Sequence, residues 1–199
     1  MPETLTKLKR EFLRKSEAHA LTFRNIRLSW ENNRIDRHVL KFCIISLLDD
    51  WGKYCRDLVI FSSVRGTVRG NGQVLLGQFP NARAAAEEAR RTKIGHIGQE
   101  PRWHDAKEAL RIAKKLAVPN SGDIGAALGA MNSPADKLRI FRNHCAHESS
   151  IDCGEKLRNL IISPSFQDLR HIFEVTEGGD YVFESWIRGL QDISIAASY

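Results

Sequence analysis

Residues 4–30 read TLTKLKREFLRKSEAHALTFRNIRLSW, and the spacing within them decides the fold class. Leu5, Leu8, Phe12, His19, Phe23, Ile26 and Trp30 recur at steps of three and four, with Lys15 in the same stripe and basic residues between them. That period belongs to an α-helix with one buried face. The stretch therefore predicts a single long amphipathic helix, and Glu31-Asn32-Asn33 a break after it, with Asn33 placed to cap the next helix.

Downstream, residues 34–63 carry Ile35, Val39, Phe42, Cys43, Ile45, Leu47, Leu48, Trp51, Cys55, Leu58 and Val59. A helix apolar around so much of its circumference belongs at the centre of a bundle. Character changes at 64–80. Arg65 to Gly72 is a glycine-rich basic loop, and Val74-Leu75-Leu76 reads as a short extended piece. A phosphate-cradling role is conceivable for this loop, but the GxxxxGK[ST] pattern is absent, and a turn with solvated arginines is the simpler reading. Asn81 is placed to cap a helix through Arg91, since Ala82–Ala89 is rich in strong helix formers. Pro101 is expected to open a helix to about Leu116, and Ser121 a short one to Met131. Ser133-Pro134 has the form of a helix start and opens the segment 135–148. Further helix is expected beyond it, interrupted at Ser163-Pro164-Ser165 and Gly178-Gly179, and the last helix covers about 181–197. Strand signal is minor, at 73–76 and 173–175. These readings predict one all-α domain over residues 1–199, an antiparallel helical bundle with a loop-rich insert at about 64–101.

Composition narrows the partners. The 199 residues are 42% hydrophobic and 27% charged, which places the chain among folded globular proteins. A net charge of +6 favours polyanions such as nucleic acid as partners. Cys43, Cys55, Cys145 and Cys153 form no CxxC pair, and the expected compartment is reducing and cytoplasmic. The first ten residues lack the apolar core of a signal peptide, and no apolar run approaches the ~20 residues of a membrane span. No membrane association is expected.

The chemistry concentrates in Phe141-Arg142-Asn143-His144-Cys145-Ala146-His147-Glu148. At about 100° per residue, Leu138, Phe141 and Cys145 gather on one side as a core stripe. Asn143 and His147, four apart, nearly superimpose on another face beside Ile140 and His144, and Arg142 projects between the two. Solvated helix faces are usually built from Lys and Glu, so an Arg, an Asn and two His together suggest a surface that meets something.

An Arg-Asn pair followed by His147, with four residues between Arg142 and His147, resembles the motif of the HEPN superfamily (higher eukaryotes and prokaryotes nucleotide-binding domains). The resemblance implies a helical bundle that dimerises so that two motifs share a cleft. It also implies a metal-independent endoribonuclease of the toxin or phage-defence type, with Arg142 and His147 catalytic and Asn143 assisting. The physical chemistry of RNA cleavage fits these residue types. Histidine titrates near neutral pH and suits transfer of the 2′-OH proton and protonation of the 5′-oxygen. The planar arginine fork suits a dianionic phosphorane. On a regular helix Arg142 and His147 stand about 140° apart, poorly placed to grip one phosphate, and a two-fold pairing of helices would relieve this.

The expected partner set is thus RNA, a second copy contributing to a composite site, and an antitoxin or other regulatory protein. Products would carry 2′,3′-cyclic phosphate and 5′-OH ends, and no cofactor or metal is expected. His144, Arg65 and Arg69 are candidate substrate contacts. Blander readings stand beside these. His147 suits the negative end of a helix, Arg142 suits a surface ion pair with Asp136 or Glu148, and the same face suits a non-catalytic module that binds RNA, a nucleotide or a protein. A zinc site from His144, His147, Cys145 and Cys153 lacks supporting spacing. Asp49-Asp50, as neighbours on a helix, diverge by about 100°, so at most one faces any given cleft.

Overall fold

The computed structural model describes residues 4–31, 37–91, 100–129, 134–146, 155, 159, 172 and 175–199. Its elements are α1 (Leu5–Glu31), α2 (Arg37–Ser62), β1 (Arg65–Val68), β2 (Val74–Leu76), α3 (Ala82–Arg91), α4 (Ala106–Lys115), α5 (Ser121–Leu128), α6 (Pro134–Ala146), β3 (Thr176–Glu177), β4 (Asp180–Tyr181) and α7 (Val182–Ala197). The class is all-α with two small hairpins. Among the described residues no helix is long and apolar enough to cross a membrane.

Contacts divide the chain into two compact units. One comprises Met1–Leu13, Trp51–Met131 and Asp192–Tyr199; the other comprises Arg14–Asp50 and Asn132–Gln191. In the first unit Phe12, Trp51 and Tyr54 form an aromatic cluster with ring centroids 4.9–5.6 Å apart. The Tyr54 hydroxyl, buried there, donates to the Ser194 carbonyl at 2.9 Å and meets Ser198 Oγ at 2.9 Å. A buried hydroxyl needs such partners, because an unsatisfied one costs about 1–3 kcal/mol. Cys55 lies fully buried in the same core, its thiol pushed up by burial.

The loop-rich insert expected at 64–101 is in part regular. β1 and β2 form an antiparallel hairpin with Val68 opposite Val74, Thr67 opposite Leu75 and Arg65 opposite Leu76. The glycines that suggest a loose loop instead close this hairpin. Gly66 (φ 77°) sits at the register shift between Arg65 and Thr67, and Gly72 (φ 83°) lies in the turn. Gly77 has a different role. A Cβ there would stand 2.1 Å from the Ser63 carbonyl oxygen, where Phe79 N–H donates to that oxygen at 3.0 Å.

The starts of α3 and α4 follow capping chemistry. Asn81 Oδ1 accepts from the Ala84 N–H at 3.0 Å and opens α3 as expected. The expectation that Pro101 opens the next helix is corrected. α4 begins at Ala106, where the Asp105 carboxylate accepts from the N–H groups of Lys107 and Glu108. Pro101 lies one turn earlier, its carbonyl accepting from Trp103 N–H. An acidic side chain that satisfies two orphan donors defines the start more strongly than a proline that satisfies none.

In the second unit Phe23 of α1 stacks on Phe183 of α7 at 4.3 Å, and Phe141 of α6 meets Trp186 of α7 edge-on at 6.0 Å. Arg24 pairs with Glu184 at 3.0 Å, and Arg27 lies over the Tyr181 ring and donates to its hydroxyl at 3.0 Å. From α2, Leu40, Cys43, Ile44, Leu47 and Leu48 are buried, and burial pushes the Cys43 thiol up to about 12. Val39 and Phe42, expected within an all-round apolar helix, are exposed, Phe42 by 71%. α6 is set against α7 through Gly189, where a Cβ would stand 2.5 Å from Pro134 Cγ.

Candidate active site

Pro134 supplies the first residue of α6, where its missing N–H costs no hydrogen bond. Ala135, Leu138, Phe141 and Cys145 are buried along one side of the helix. Phe141 is fixed by the Trp186 ring. Ile140, Arg142, Asn143 and His144 are half-buried beside that stripe. The core stripe thus leaves Asn143 facing away from the packed side, while Arg142, about 100° on from Phe141, flanks the stripe.

Arg142 forms no ion pair or hydrogen bond among the described residues. Asp136, the acidic partner that the sequence offers it, pairs instead with Arg139 at 3.4 Å. The geometry explains this preference: residues three apart lie on one face, whereas Asp136 and Arg142 are six apart and diverge by about 120°. Asn143 likewise makes no side-chain hydrogen bond among the described residues. A guanidinium with no carboxylate partner among the described residues, next to an uncommitted amide, is suited to an anionic group with oxygen acceptors. His147 and Glu148 lie outside the described residues, as does Cys153.

Arg65 and Arg69 belong to the other compact unit. Arg65 is exposed at the start of β1. Arg69 is committed within its own unit. Its Nε donates to the Tyr199 carbonyl at 2.7 Å, one terminal nitrogen meets Asp123 at 2.6 Å, and another meets Gln73 at 3.2 Å. Lys9 lies 4.4 Å from the centroid of the Tyr199 ring. Arg69 therefore pins the chain around Tyr199, whereas Arg65 keeps its side chain in solvent.

One cluster is not evident from the sequence alone. Asp50 accepts from Lys15 Nζ at 2.5 Å and from His19 Nε2 at 3.0 Å, bridging α2 to α1 within the second unit. Burial alone would raise the Asp50 carboxyl, but the hydrogen bonds and charges of Lys15 and His19 outweigh it and hold the carboxyl below its ordinary value. An ionised carboxylate only accepts, so the His19 proton sits on Nε2. A signal for the cluster does exist in the sequence. Lys15 and His19 interrupt an otherwise apolar stripe four residues apart, and half-buried N–H donors at that spacing call for a shared acceptor. Asp49, by contrast, is exposed.

No protein-family model matches the chain, and no curated protein and no solved structure is similar to it.

Proposed function

We propose that the protein is a metal-independent endoribonuclease of the HEPN type, acting as a homodimer in which two copies of α6 build one cleft. The observation that carries this reading is the half-buried face of α6. There Arg142 and Asn143, without partners among the described residues, sit beside a buried stripe that anchors the helix. Arg142 would stabilise the phosphorane, and His147 would transfer the protons of the 2′-OH and the 5′-oxygen. Asn143 would orient the phosphate or the imidazole. The 2′-oxygen attacks phosphorus, the bond to the 5′-oxygen breaks, and the ends are a 2′,3′-cyclic phosphate and a 5′-OH. The apolar surface that Val39 and Phe42 leave exposed in the same unit favours self-association. The basic balance of the chain favours RNA as the substrate.

Incubation of the purified chain with total RNA in excess EDTA tests this. Cleavage is expected to persist, and to fall at least ~100-fold in Arg142→Ala and in His147→Ala, each change removing a group that acts in the transition state. RNA left intact by the unmodified protein, or cut equally well by both variants, contradicts the proposal. Binding of RNA without turnover would instead identify a non-catalytic module.

A further inference from the structure

A groove of about 410 Å³ lies between the last turns of α2 and the outer face of α3, in the compact unit that does not contain α6. Its volume is in the range of about 300–1,000 Å³ over which small-molecule sites fall. Ile60, Phe61, Ala82 and Ala86 supply the apolar part of its lining, and Arg83 and Arg90 stand about two helical turns apart along α3. Phe61 presents a partly exposed ring, although its neighbour Ile60 is buried.

The arginines are held in place without being used up. Arg83 donates through Nε to Glu87 at 3.1 Å, and Arg90 donates through Nε to Glu100 at 2.8 Å. Glu100 also accepts from Arg56 Nε at 3.2 Å and Trp103 Nε1 at 2.9 Å, so the carboxylate that orients Arg90 is itself fixed from two further sides. These bonds together hold the Glu100 carboxyl below its ordinary value against the opposing effect of burial. In both Arg83 and Arg90 the two terminal nitrogens carry no hydrogen bond among the described residues. Of the two carboxylates in the lining, Asp57 is engaged by Arg56 at 2.8 Å and Glu87 by Arg83 at 3.1 Å. The groove therefore offers an aromatic ring, a small-residue floor and two guanidinium forks with their outer edges open.

We propose that this groove binds a base-bearing phosphate ester, either a free nucleotide or one residue of a single strand. The base lies against Phe61 and the alanines, and the phosphate lies on the forks of Arg83 and Arg90. An aromatic face takes any base by stacking, worth about 1–3 kcal/mol per base. A guanidinium takes phosphate oxygens through two parallel hydrogen bonds. The alanines at 82 and 86 are part of the fit, since larger side chains there would fill the floor. Its lining residues all belong to the unit without α6, and the site does not rest on the ribonuclease reading.

The test is calorimetric titration of the full chain with adenosine 5′-monophosphate, with inorganic phosphate, and with a 2′-O-methylated oligoadenylate that cannot be cut through its 2′-oxygen. Arg83→Ala combined with Arg90→Ala is expected to weaken the nucleotide or the oligomer about tenfold or more, and Phe61→Leu about tenfold. Lys114→Ala, which removes an exposed cation of α4 outside the groove, should leave both affinities unchanged. Binding of the monophosphate with this dependence identifies a free-nucleotide site, and binding of the oligomer alone identifies a strand contact; either supports the proposal. Absence of binding by both, affinity unchanged in the double arginine variant, inorganic phosphate binding as tightly as the monophosphate, or equal weakening by Lys114→Ala would each overturn it. Arg83 is 89% exposed, so the arginine variant decides the matter even where Phe61→Leu lowers stability.

Discussion

Lys15 and His19 occupy positions of α1 where the period calls for apolar side chains, and both end on Asp50. A half-buried ammonium and imidazole sharing one carboxylate remain stable because each desolvation cost is offset by a charge-assisted hydrogen bond. Asp50→Asn should therefore destabilise the fold by about 1–3 kcal/mol at pH 7, measured by urea unfolding. The sign of the pH dependence comes from the lowered carboxyl. Its contribution is fully present above the ordinary value of 3.8 and is lost as pH falls through the lower folded value. The gap between Asp50→Asn and the unmodified chain should accordingly narrow as pH falls below 3.8, and a gap that stays constant on acidification would contradict the assignment. The sequence shows the two interruptions of the stripe but not their partner, because pairing across helices depends on a register that local period does not carry. Arg69 teaches the converse. In the sequence it reads as a solvated arginine able to guide RNA, yet it holds the carbonyl of Tyr199, 130 residues away in the chain.

At the scale of elements, long helices are legible because their signal is summed over many residues, whereas starts and turns depend on one or two. The long helices α1, α2 and α7 and the short α3 lie within a few residues of where period and propensity put them. α4 starts five residues later than proline chemistry suggests, because Asp105 satisfies two N–H groups there. Asp105→Ala should cost about 1 kcal/mol, seen as a lower Tm. Glycines are legible as punctuation but not as contacts. Gly189 lies inside α7, where it costs about 1 kcal/mol relative to alanine, and the compensation is close approach to Pro134 at the start of α6. Gly189→Ala should gain helix propensity and still lower stability, by about 1–3 kcal/mol net through overpacking, with any RNA cleavage falling further than stability alone explains. An unchanged or raised Tm would show that Pro134 yields without cost.

For the molecule as a whole, the all-α class and the extended piece at β2 are legible, while β1, its pairing with β2 and the division into two compact units are not. Strand pairing over three or four residues leaves little periodic signal. The face of α6 is legible as a projection, and the structure places Leu138, Phe141 and Cys145 in the core and Arg142 and Asn143 beside it. A composite site makes a prediction that only an assembly can satisfy. When Arg142→Ala and His147→Ala chains are mixed and allowed to exchange, cleavage should reappear if each site draws its arginine and its histidine from different copies, since one site of the mixed dimer is then intact. Continued inactivity after verified exchange would assign both groups of a site to one copy. The most direct measurement is the chemistry of the ends left on RNA cut in EDTA. The expected ends are 2′,3′-cyclic phosphate and 5′-OH, the latter labelled by polynucleotide kinase without prior phosphatase, and both should disappear in Arg142→Ala. Uncut RNA, or fragments ending in 3′-OH and 5′-phosphate, would contradict the ribonuclease assignment.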